Sequence, residues 1–581
     1  MKIRFARTAG FCMGVRRAVD MVLDLQRGNT PLPIVTYGPL IHNPQTLEIL
    51  DARGVTEAGN IEEIDRGTVV VRAHGISPAE HGLLKEKGLQ VVDATCPRVR
   101  RVQVLVERHA GQGRFCVIVG DADHPEVRGV MGFATAGGVA LAEANLDQMS
   151  TLVPSDREVC VVAQTTQDRQ TFEKVVRALE RHCLKIHVHD TICDSTKRRQ
   201  QEVTRLARQV DLVVVVGGKG SGNTRRLAQV AEACGARSLH VETAGEIDPK
   251  DLDGVSRVGV TGGASTPNWQ MRQAVDRIKE ISATRRSGPL RRLRRAVDAA
   301  VMTYGFAALG GGGLTATCMT LQGETPTWPP LVVAMLFVFS MHLLNRLHDR
   351  SGAVRFNSPE IAAFYARHTT ALTAAGLASS LGAIVLALGV GITTCILLTC
   401  TLVMGRLYSA ALFSASGNGR NSWLGLRDVP WSKTPAVTFG WAFVAAVLPV
   451  VEAPARVNFI GLAVAFVLAA GMVFWRMAVS DLMDVQGDRI VGRQTIPVVL
   501  GVDQTRKILW ILLVLLGGYC ALGVWMGWIS AAGYVLEVNM LLFAVLFVFY
   551  ARRQLADRLL YEGAADLNFV LAGILVWQAG M

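Results

Sequence analysis

Apolar residues fall along this chain in two different rhythms. From Met1 to about Ala283 they come as short, β-branched runs, such as Thr68–Arg72, Cys116–Gly120, Val159–Ala163 and Leu212–Val216. Each run is followed by polar or glycine-rich residues and then by a stretch with helical spacing, the alternation of a parallel α/β fold. From about Val297 onward the apolar runs approach the roughly 20 residues that cross a bilayer. Nine candidate spans can be drawn, at 297–320, 329–345, 368–388, 390–408, 435–452, 457–478, 507–527, 531–550 and 564–580. The pattern predicts a soluble α/β half over 1–281, an arginine-rich linker over 282–296, and an all-α multi-pass bundle of about nine helices over 297–581.

Composition agrees once it is divided this way. A mean hydropathy of +0.30 over 581 residues averages a charged half with an apolar one. It excludes a small module, a disordered tail protein and a purely soluble enzyme. The net charge of +12 first suggests nucleic acid. However, Arg285, Arg286, Arg291, Arg292, Arg294 and Arg295 crowd the segment before the first span, as expected of a cytoplasmic flank that can also touch anionic lipid. With that linker inside, bases such as Arg346, Arg406, Lys433, Arg476, Arg493 and Arg558 also fall inside, and only Arg456 falls outside. The expectation is a multi-pass protein of the cell (inner) membrane, soluble half and active sites toward the cytoplasm, with membrane lipid as a partner and no nucleic acid. The opening residues MKIRFARTAGFCMGV lack an apolar signal region, so the eleven cysteines are expected in a reducing compartment, most of them as buried small hydrophobes.

Three cysteines have a different setting. Cys12 lies in Gly10-Phe-Cys-Met-Gly-Val15, Cys96 in Asp93-Ala-Thr-Cys-Pro97, and Cys193 in Thr191-Ile-Cys-Asp194. Their wide spacing assigns one to each of three α/β units, a threefold pseudo-repeat. Three thiolates converging on one centre suit an iron–sulfur cluster; a [4Fe–4S] cluster held this way keeps one iron open. His42, His74 and His124 fall in loops after strands, where imidazoles can hydrogen-bond a diphosphate or a hydroxyl. Glu126 is a candidate proton relay, and Gln164-Thr-Thr166 adds hydroxyls. The loop Gly217-Gly-Lys-Gly-Ser-Gly-Asn-Thr224 suits a phosphate, but Asn223 stands where a nucleotide-binding P-loop has lysine. Thr261-Gly-Gly-Ala-Ser-Thr-Pro267 is a further small-residue turn.

In order, GFCMGV, IHNP, RAHG, DATCP, DADHPE, AQTT, TIC with RQ, SGNT and GGASTP resemble the 4-hydroxy-3-methylbut-2-enyl diphosphate reductase (IspH/LytB) family, over about Met1 to Ile281. The resemblance implies an α/β trefoil of three units around a [4Fe–4S] cluster ligated by Cys12, Cys96 and Cys193. It implies substrate binding by His42, His74, His124, Thr165, Ser221, Gly222, Asn223 and Ser265, and proton delivery by Glu126. The family usually has Ser-Ser-Asn where this chain has Ser221-Gly222-Asn223, so one hydroxyl is lost. The implied reaction is reductive dehydroxylation to isopentenyl and dimethylallyl diphosphate. With no dinucleotide motif present, electrons would come from an external carrier of ferredoxin or flavodoxin type.

The apolar half carries two acidic clusters at expected cytoplasmic helix ends. One is Asn345-Arg-Leu-His-Asp349. The other contains Asp481, Asp484 and Asp488, spaced i, i+3, i+7 on one helix face, then Gly492-Arg-Gln-Thr-Ile-Pro497. Hard oxygens so placed suit Mg²⁺ bridging a diphosphate. This half resembles the UbiA family of intramembrane prenyltransferases, over about Arg294 to Met581. That resemblance implies Mg²⁺ held between Asn345, Asp349, Asp481, Asp484 and Asp488, and a prenyl diphosphate donor with an acceptor of unassigned identity. Tyr408, Ser409, Arg427, Asp428 and Lys433 lie in the loop where the family gathers polar active-site residues. Position 353 is Ala where an acidic residue is often found. The leading reading is a bifunctional isoprenoid enzyme. The alternatives are a reductase on an inactive membrane anchor, and a non-catalytic Fe–S carrier or sensor.

Overall fold

The computed structural model describes residues 1–6, 8–27, 30–284, 289–348, 357–409, 411–417, 420–425, 429, 431–453, 457–552 and 558–581. The chain divides into two compact units, Met1–Arg285 and Arg286–Met581.

The first unit is built on three four-stranded parallel sheets. The first holds β2 (Ile34–Tyr37), β3 (Val55–Ala58), β4 (Thr68–Val71) and β5 (Gln90–Asp93) in the order β3-β2-β4-β5. The second holds β6 (Phe115–Val119), β7 (Gly138–Leu141), β8 (Val159–Ala163) and β9 (Ile186–His189) in the order β7-β6-β8-β9. The third runs β11-β10-β12-β1, from β10 (Leu212–Val216), β11 (Arg237–Val241), β12 (Arg257–Gly262) and β1 (Lys2–Phe5). All three share one strand order. The third takes its outer strand from the other end of the chain, with Lys2 opposite Arg257 and Phe5 opposite Val260.

The short valine runs form central strands because both faces are covered. In β10, Val214 and Val216 enter one apolar cluster with Val258 and Ile278, while Val213 and Val215 enter another with Val203 and Leu227. In β6 and β8, Cys116 and Cys160 are wholly buried in the same way. Functional side chains are thereby left to the loops beyond the strand C-termini.

The second unit is helical. Among the described residues, seven helices are long and apolar enough to cross a membrane, at Trp328–Leu347, Glu360–Val390, Lys433–Val450, Phe459–Ile490, Val502–Trp525, Ala531–Ala551 and Arg558–Gly580. Nine were expected. The expected span 297–320 is broken by Tyr304, whose φ of 62° separates helix Pro289–Met302 from a 17-residue helix, Gly305–Leu321. The expected span 390–408 is the shorter apolar helix Ile392–Tyr408. The span Lys433–Val450 changes from α to a π-turn at Phe443–Val447 and a 3₁₀ turn at Leu448–Val450. Pro449 lacks the N–H an α-helix needs there and its ring crowds the preceding turn. Residues 411–417 and 420–425 pair as an antiparallel hairpin.

Trp475, Phe543, Phe547 and Phe569 lie at the centre of this unit, with Trp475 and Phe543 ring centroids 4.6 Å apart. Helices Gly305–Leu321 and Arg558–Gly580 meet backbone to backbone. A Cβ added at Gly313 would lie 2.4 Å from the Phe569 carbonyl oxygen, and one at Gly573 would lie 2.6 Å from the Gly313 oxygen. Small residues permit this approach, and membrane helices use it where lipid supplies no hydrophobic drive between them. We expect Gly313→Ala to destabilise this unit by about 1–3 kcal/mol through overpacking. Thermal unfolding of the detergent-solubilised chain checks this; an unchanged Tm contradicts the packing described.

Candidate active sites

In the first unit, each outer strand leads to one of the three singled-out cysteines. β1 leads to Cys12, β5 to Cys96 and β9 to Cys193, and each begins a helix (Met13–Arg27, Pro97–Ala110, Asp194–Ala207). Each cysteine carbonyl accepts the first helical hydrogen bond, from Arg16, Arg100 and Lys197. Each cysteine N–H turns the other way and donates 2.9 Å to a carbonyl beyond a third strand: Cys12 to Ala264 after β12, Cys96 to Ala73 after β4, Cys193 to Thr165 after β8. The three thiols line one cavity of about 100 Å³, at helix N-termini that favour negative charge on sulfur. The Cys12 Sγ accepts from Val15 N at 3.4 Å. Burial is the largest influence on the Cys96 thiol and pushes it up, and the Cys12 and Cys193 sulfurs add to this. Arg199 is buried and donates to the carbonyls of Gly10, Gly262 and Gly263, tying the Cys12 loop to the turn after β12.

The polar loops repeat the same threefold plan. After each unit's first strand come His42, His124 and Ser221, and after each third strand come His74, Thr165 and Ser265. His42 and His74 have ring centroids 4.4 Å apart, and His124 lies 5.4 and 5.5 Å from them. Burial drives all three imidazoles below their ordinary value, His124 to about 3, so each is neutral at pH 7. Glu126 is buried, receiving Thr165 N at 2.6 Å and Thr165 Oγ1 at 2.8 Å. Burial still lifts its carboxyl to about 7, against the opposing pull of those donors. His42 Nε2, His74 Nδ1, Thr166 Oγ1 and both side-chain polar atoms of Asn223 are buried without a partner in the protein. So many orphaned polar atoms facing one cavity is the mark of a polar ligand's site.

In the second unit, a cavity of about 280 Å³ is lined by Asn345, Tyr408, Lys433, Asp481, Asp484 and Arg558, with His342 and Tyr304 stacked at 4.8 Å on its wall. Asp481 accepts from Lys433 Nζ at 2.7 Å and Thr434 Oγ1 at 2.8 Å. Asp484 pairs with Arg558, which also meets Glu562 and Ser358. Asp488 does not line the cavity; it is buried, accepts from Asn357 Nδ2 at 3.2 Å, and keeps Oδ2 without a partner. Below them Arg476 forms a bidentate pair with Asp566 at 2.8 and 3.1 Å, both side chains buried.

Comparison with known proteins separates the same two halves. The model of the LytB protein family matches residues 3–279, and that of the UbiA prenyltransferase family matches residues 367–570. The 4-hydroxy-3-methylbut-2-enyl diphosphate reductase of Geobacter sulfurreducens is 43% identical over 283 residues, 48% of this chain and 98% of that protein. The same-named protein of Nitratidesulfovibrio vulgaris is 46% identical over 283 residues, 48% of this chain and 99% of its own length. The chain is a fusion of a LytB-family reductase domain and a UbiA-family prenyltransferase domain. Among solved structures, an (E)-4-hydroxy-3-methylbut-2-enyl diphosphate reductase is 38% identical over 48% of this chain and 100% of its own, with a TM-score of 0.38. A UbiA homologue of Archaeoglobus fulgidus, bound to GPP and Mg²⁺, is 16% identical over 48% of this chain and 99% of its own, with a TM-score of 0.34.

In the LytB domain, Cys12, Cys96, Cys193, His42, His74, His124, Glu126, Thr165, Ser221, Gly222, Asn223 and Ser265 all line one cavity. In the second unit, Asn345, Asp481 and Asp484 line one cavity, and Asp488 is outside its lining, bonded to Asn357, which lines it. Asp349, Ala353, Arg427 and Asp428 are outside the described residues. Tyr408 is 2.7 Å from Ser432 Oγ. Sequence reasoning missed Arg558, Glu562 and Asp566. They form an i, i+4, i+8 charged row on one face of the last apolar helix, a signal visible once the helix starts at Arg558 rather than 564. Arg476 and Arg558 read in the sequence as flanking charges and Lys433 as an active-site loop residue as well; in the structure each is paired with a carboxylate, and Lys433 lines the cavity.

The raised Glu126 carboxyl has a measurable sign. Its folded value, about 7, exceeds the ordinary 4.5, so its stabilisation is complete below 4.5 and is lost as pH rises through about 7. Relative to Glu126→Gln, the wild type should lose Tm between about pH 5 and pH 8. Parallel Tm–pH curves for the two proteins would mean that Glu126 titrates as an ordinary carboxylate.

Proposed function

We propose that the LytB domain reduces (E)-4-hydroxy-3-methylbut-2-enyl diphosphate to isopentenyl and dimethylallyl diphosphate, consuming two electrons and two protons and releasing the hydroxyl as water. The observation that carries this reading is one cavity holding three thiols at helix starts, three neutral imidazoles and a carboxyl that burial raises to about 7. Soft sulfur donors, free of disulfides, fit a [4Fe–4S] cluster on Cys12, Cys96 and Cys193. When bound, the cluster supplies electrons and Lewis acidity, with an external ferredoxin- or flavodoxin-type protein as its source.

The protein's own part follows from the geometry. Ser221, Asn223 and Ser265, with the backbone N–H groups at the Gly222 helix start, bind the diphosphate. The unpartnered nitrogens of His42 and His74 orient the polar ends of the substrate. Glu126 holds a proton on its carboxyl beside Thr165, ready for the leaving hydroxyl. A non-catalytic electron carrier would have no use for this diphosphate pocket.

For the UbiA domain we propose Mg²⁺-dependent prenyl transfer from a prenyl diphosphate. Asn345, Asp481 and Asp484 offer hard oxygens to one cavity, and the unpartnered Asp488 Oδ2 adds a further acceptor close by, a donor set that suits Mg²⁺. Lys433, Arg493 and Arg558 line or edge the same cavity and suit the diphosphate's charge. The arginine bias around the linker and the helix ends supports a cytoplasmic orientation in the cell membrane.

The test uses the full chain in membranes, reconstituted with iron and sulfide. Cys96→Ser should lower bound iron and abolish dehydroxylation. Asp484→Asn should leave dehydroxylation intact and abolish prenyl transfer. If reconstituted wild type never converts the hydroxylated diphosphate, the reductase assignment fails; if Asp484→Asn leaves prenyl transfer unchanged, the metal assignment fails.

Gly222 gives a second check. A Cβ there would meet Asp121, His124 and Thr166 no closer than 3.9 Å, so a serine fits. One restored hydrogen bond is worth about 1 kcal/mol. Gly222→Ser should lower the KM for the hydroxylated diphosphate about fivefold with kcat little changed. A higher KM would place the diphosphate elsewhere.

A further inference from the structure

A second group of metal-ligating side chains lies away from the cysteine-lined cavity, on the buried face of the second sheet. The ladder pairs Cys116 with Cys160 and Cys160 with His187, and sets His189 two residues further along the same edge strand. Two residues apart on a strand, His187 and His189 share a face. That face packs beneath helix Pro97–Ala110, whose last turn brings down His109. His109 and His189 approach with Nε2 atoms 2.9 Å apart, and a ligand atom of Cys160 lies within 4.8 Å of one on each histidine. Cys160 is wholly buried and His109 nearly so.

Val102, Val106, Ile118 and Val162 pack in the same layer on one side of the cluster, while Arg114 and His187, both bonded to Glu158, flank His109 on the other. The two imidazoles share one hydrogen bond, His109 Nε2 to His189 Nε2, with Arg114 NH1 at His109 Nδ1, and with the Cys160 thiol the same two nitrogens are close enough to close on one cation in place of the shared proton. Burial, then His189 and Arg114, hold the His109 imidazole down at about 4, so its lone pairs are not lost to protonation at neutral pH. The His189 imidazole is lowered too, chiefly by burial.

We propose that His109, Cys160 and His189 form a binding site for a borderline-soft divalent cation of the Zn²⁺ type, with the Cys116 thiol adjacent. Nitrogen and sulfur donors select such an ion over Mg²⁺ or Ca²⁺. Binding forms two metal–nitrogen bonds and one metal–sulfur bond and releases the Cys160 proton to solvent. It is neither oxidation nor reduction. His109 then carries its proton at Nδ1, so Arg114 NH1 gives up its 3.0 Å contact there, while Arg114 Nε keeps Glu158 at 2.8 Å. The ion pins the end of the Cys96 helix to the strand that leads to Cys193, and so braces two of the three thiol-bearing segments from behind.

The experiment uses the purified full chain with its iron content measured alongside. Zn²⁺ alone is the probe, titrated against a chromogenic chelator, and bound zinc is counted by mass spectrometry. The wild type is expected to hold one more zinc per chain than His189→Asn or Cys160→Ser. Both variants should bind zinc more weakly by more than the roughly 10–100-fold that loss of an outer-shell partner costs. Their iron content should match the wild type. Co²⁺ in place of Zn²⁺ should show the thiolate charge-transfer and visible d–d bands of a tetrahedral site, lost in Cys160→Ser. His189 is on an edge strand and partly exposed, so His189→Asn tests the site even if Cys160→Ser fails to fold. Equal zinc in wild type and His189→Asn, or wild-type Co²⁺ without a thiolate band, overturns the proposal.

Discussion

The LytB domain depends on three hydrogen bonds of one kind. Cys12, Cys96 and Cys193 each donate a backbone N–H, over 2.9 Å, to the carbonyl of Ala264, Ala73 or Thr165. Each bond joins a thiol-bearing helix start to the loop that carries, or directly precedes, a polar site residue: Ser265, His74 or Thr165 itself. The thiols and the substrate-facing groups are therefore held in register by main chain, whatever the side chains do. A backbone N–H buried this way costs free energy if unpaired, so the arrangement is strongly specified. Arg199 adds a fourth tie between Gly10 and the turn after β12.

The two cavities handle charge in opposite ways. In the LytB domain, burial keeps His42, His74 and His124 neutral at pH 7 and lifts the Glu126 carboxyl to about 7, and several polar atoms of the same cavity are left unpaired. Such a cavity is made to receive charge. In the UbiA domain the carboxylates and bases are already matched: Asp481 with Lys433, Asp484 with Arg558, Asp566 with Arg476. An unmatched charge is costly in an apolar helix bundle, so an ionic ligand there exchanges partners with Asp481 and Asp484, which are already paired, and Asp488 Oδ2 is the acceptor left open.

Much of the LytB site was legible because its chemistry sits in short, unusual motifs after strands. Cys12, Cys96, Cys193, the three histidines, Glu126, Ser221, Asn223 and Ser265 could all be named without coordinates, and the structure brings them to one cavity. The UbiA site was less legible. Arg558 and Glu562 lie before the expected span 564–580 and Asp566 just inside it, so the charged row they form appears only when the helix is seen to start at Arg558. Asp488 shares a helix face with Asp481 and Asp484 by spacing, yet Asn357 from another segment claims it. Helix periodicity sets the face, but neighbours decide which residues on that face meet the cavity.

By itself the amino-acid order determined the division into an α/β and an apolar half, the strand runs, and the residue types of both sites, because period, run length and side-chain chemistry are local properties. Tertiary structure decided the rest. It completed the third sheet with β1 from the far end of the chain, because a sheet edge pairs with whatever strand the fold brings to it. It shortened two expected spans to helices of 17 residues or fewer, set the paired carboxylates of the bundle, and gathered His109, Cys160 and His189 from a helix and two strands. Those outcomes rest on distances between residues far apart in sequence, and local pattern does not contain them.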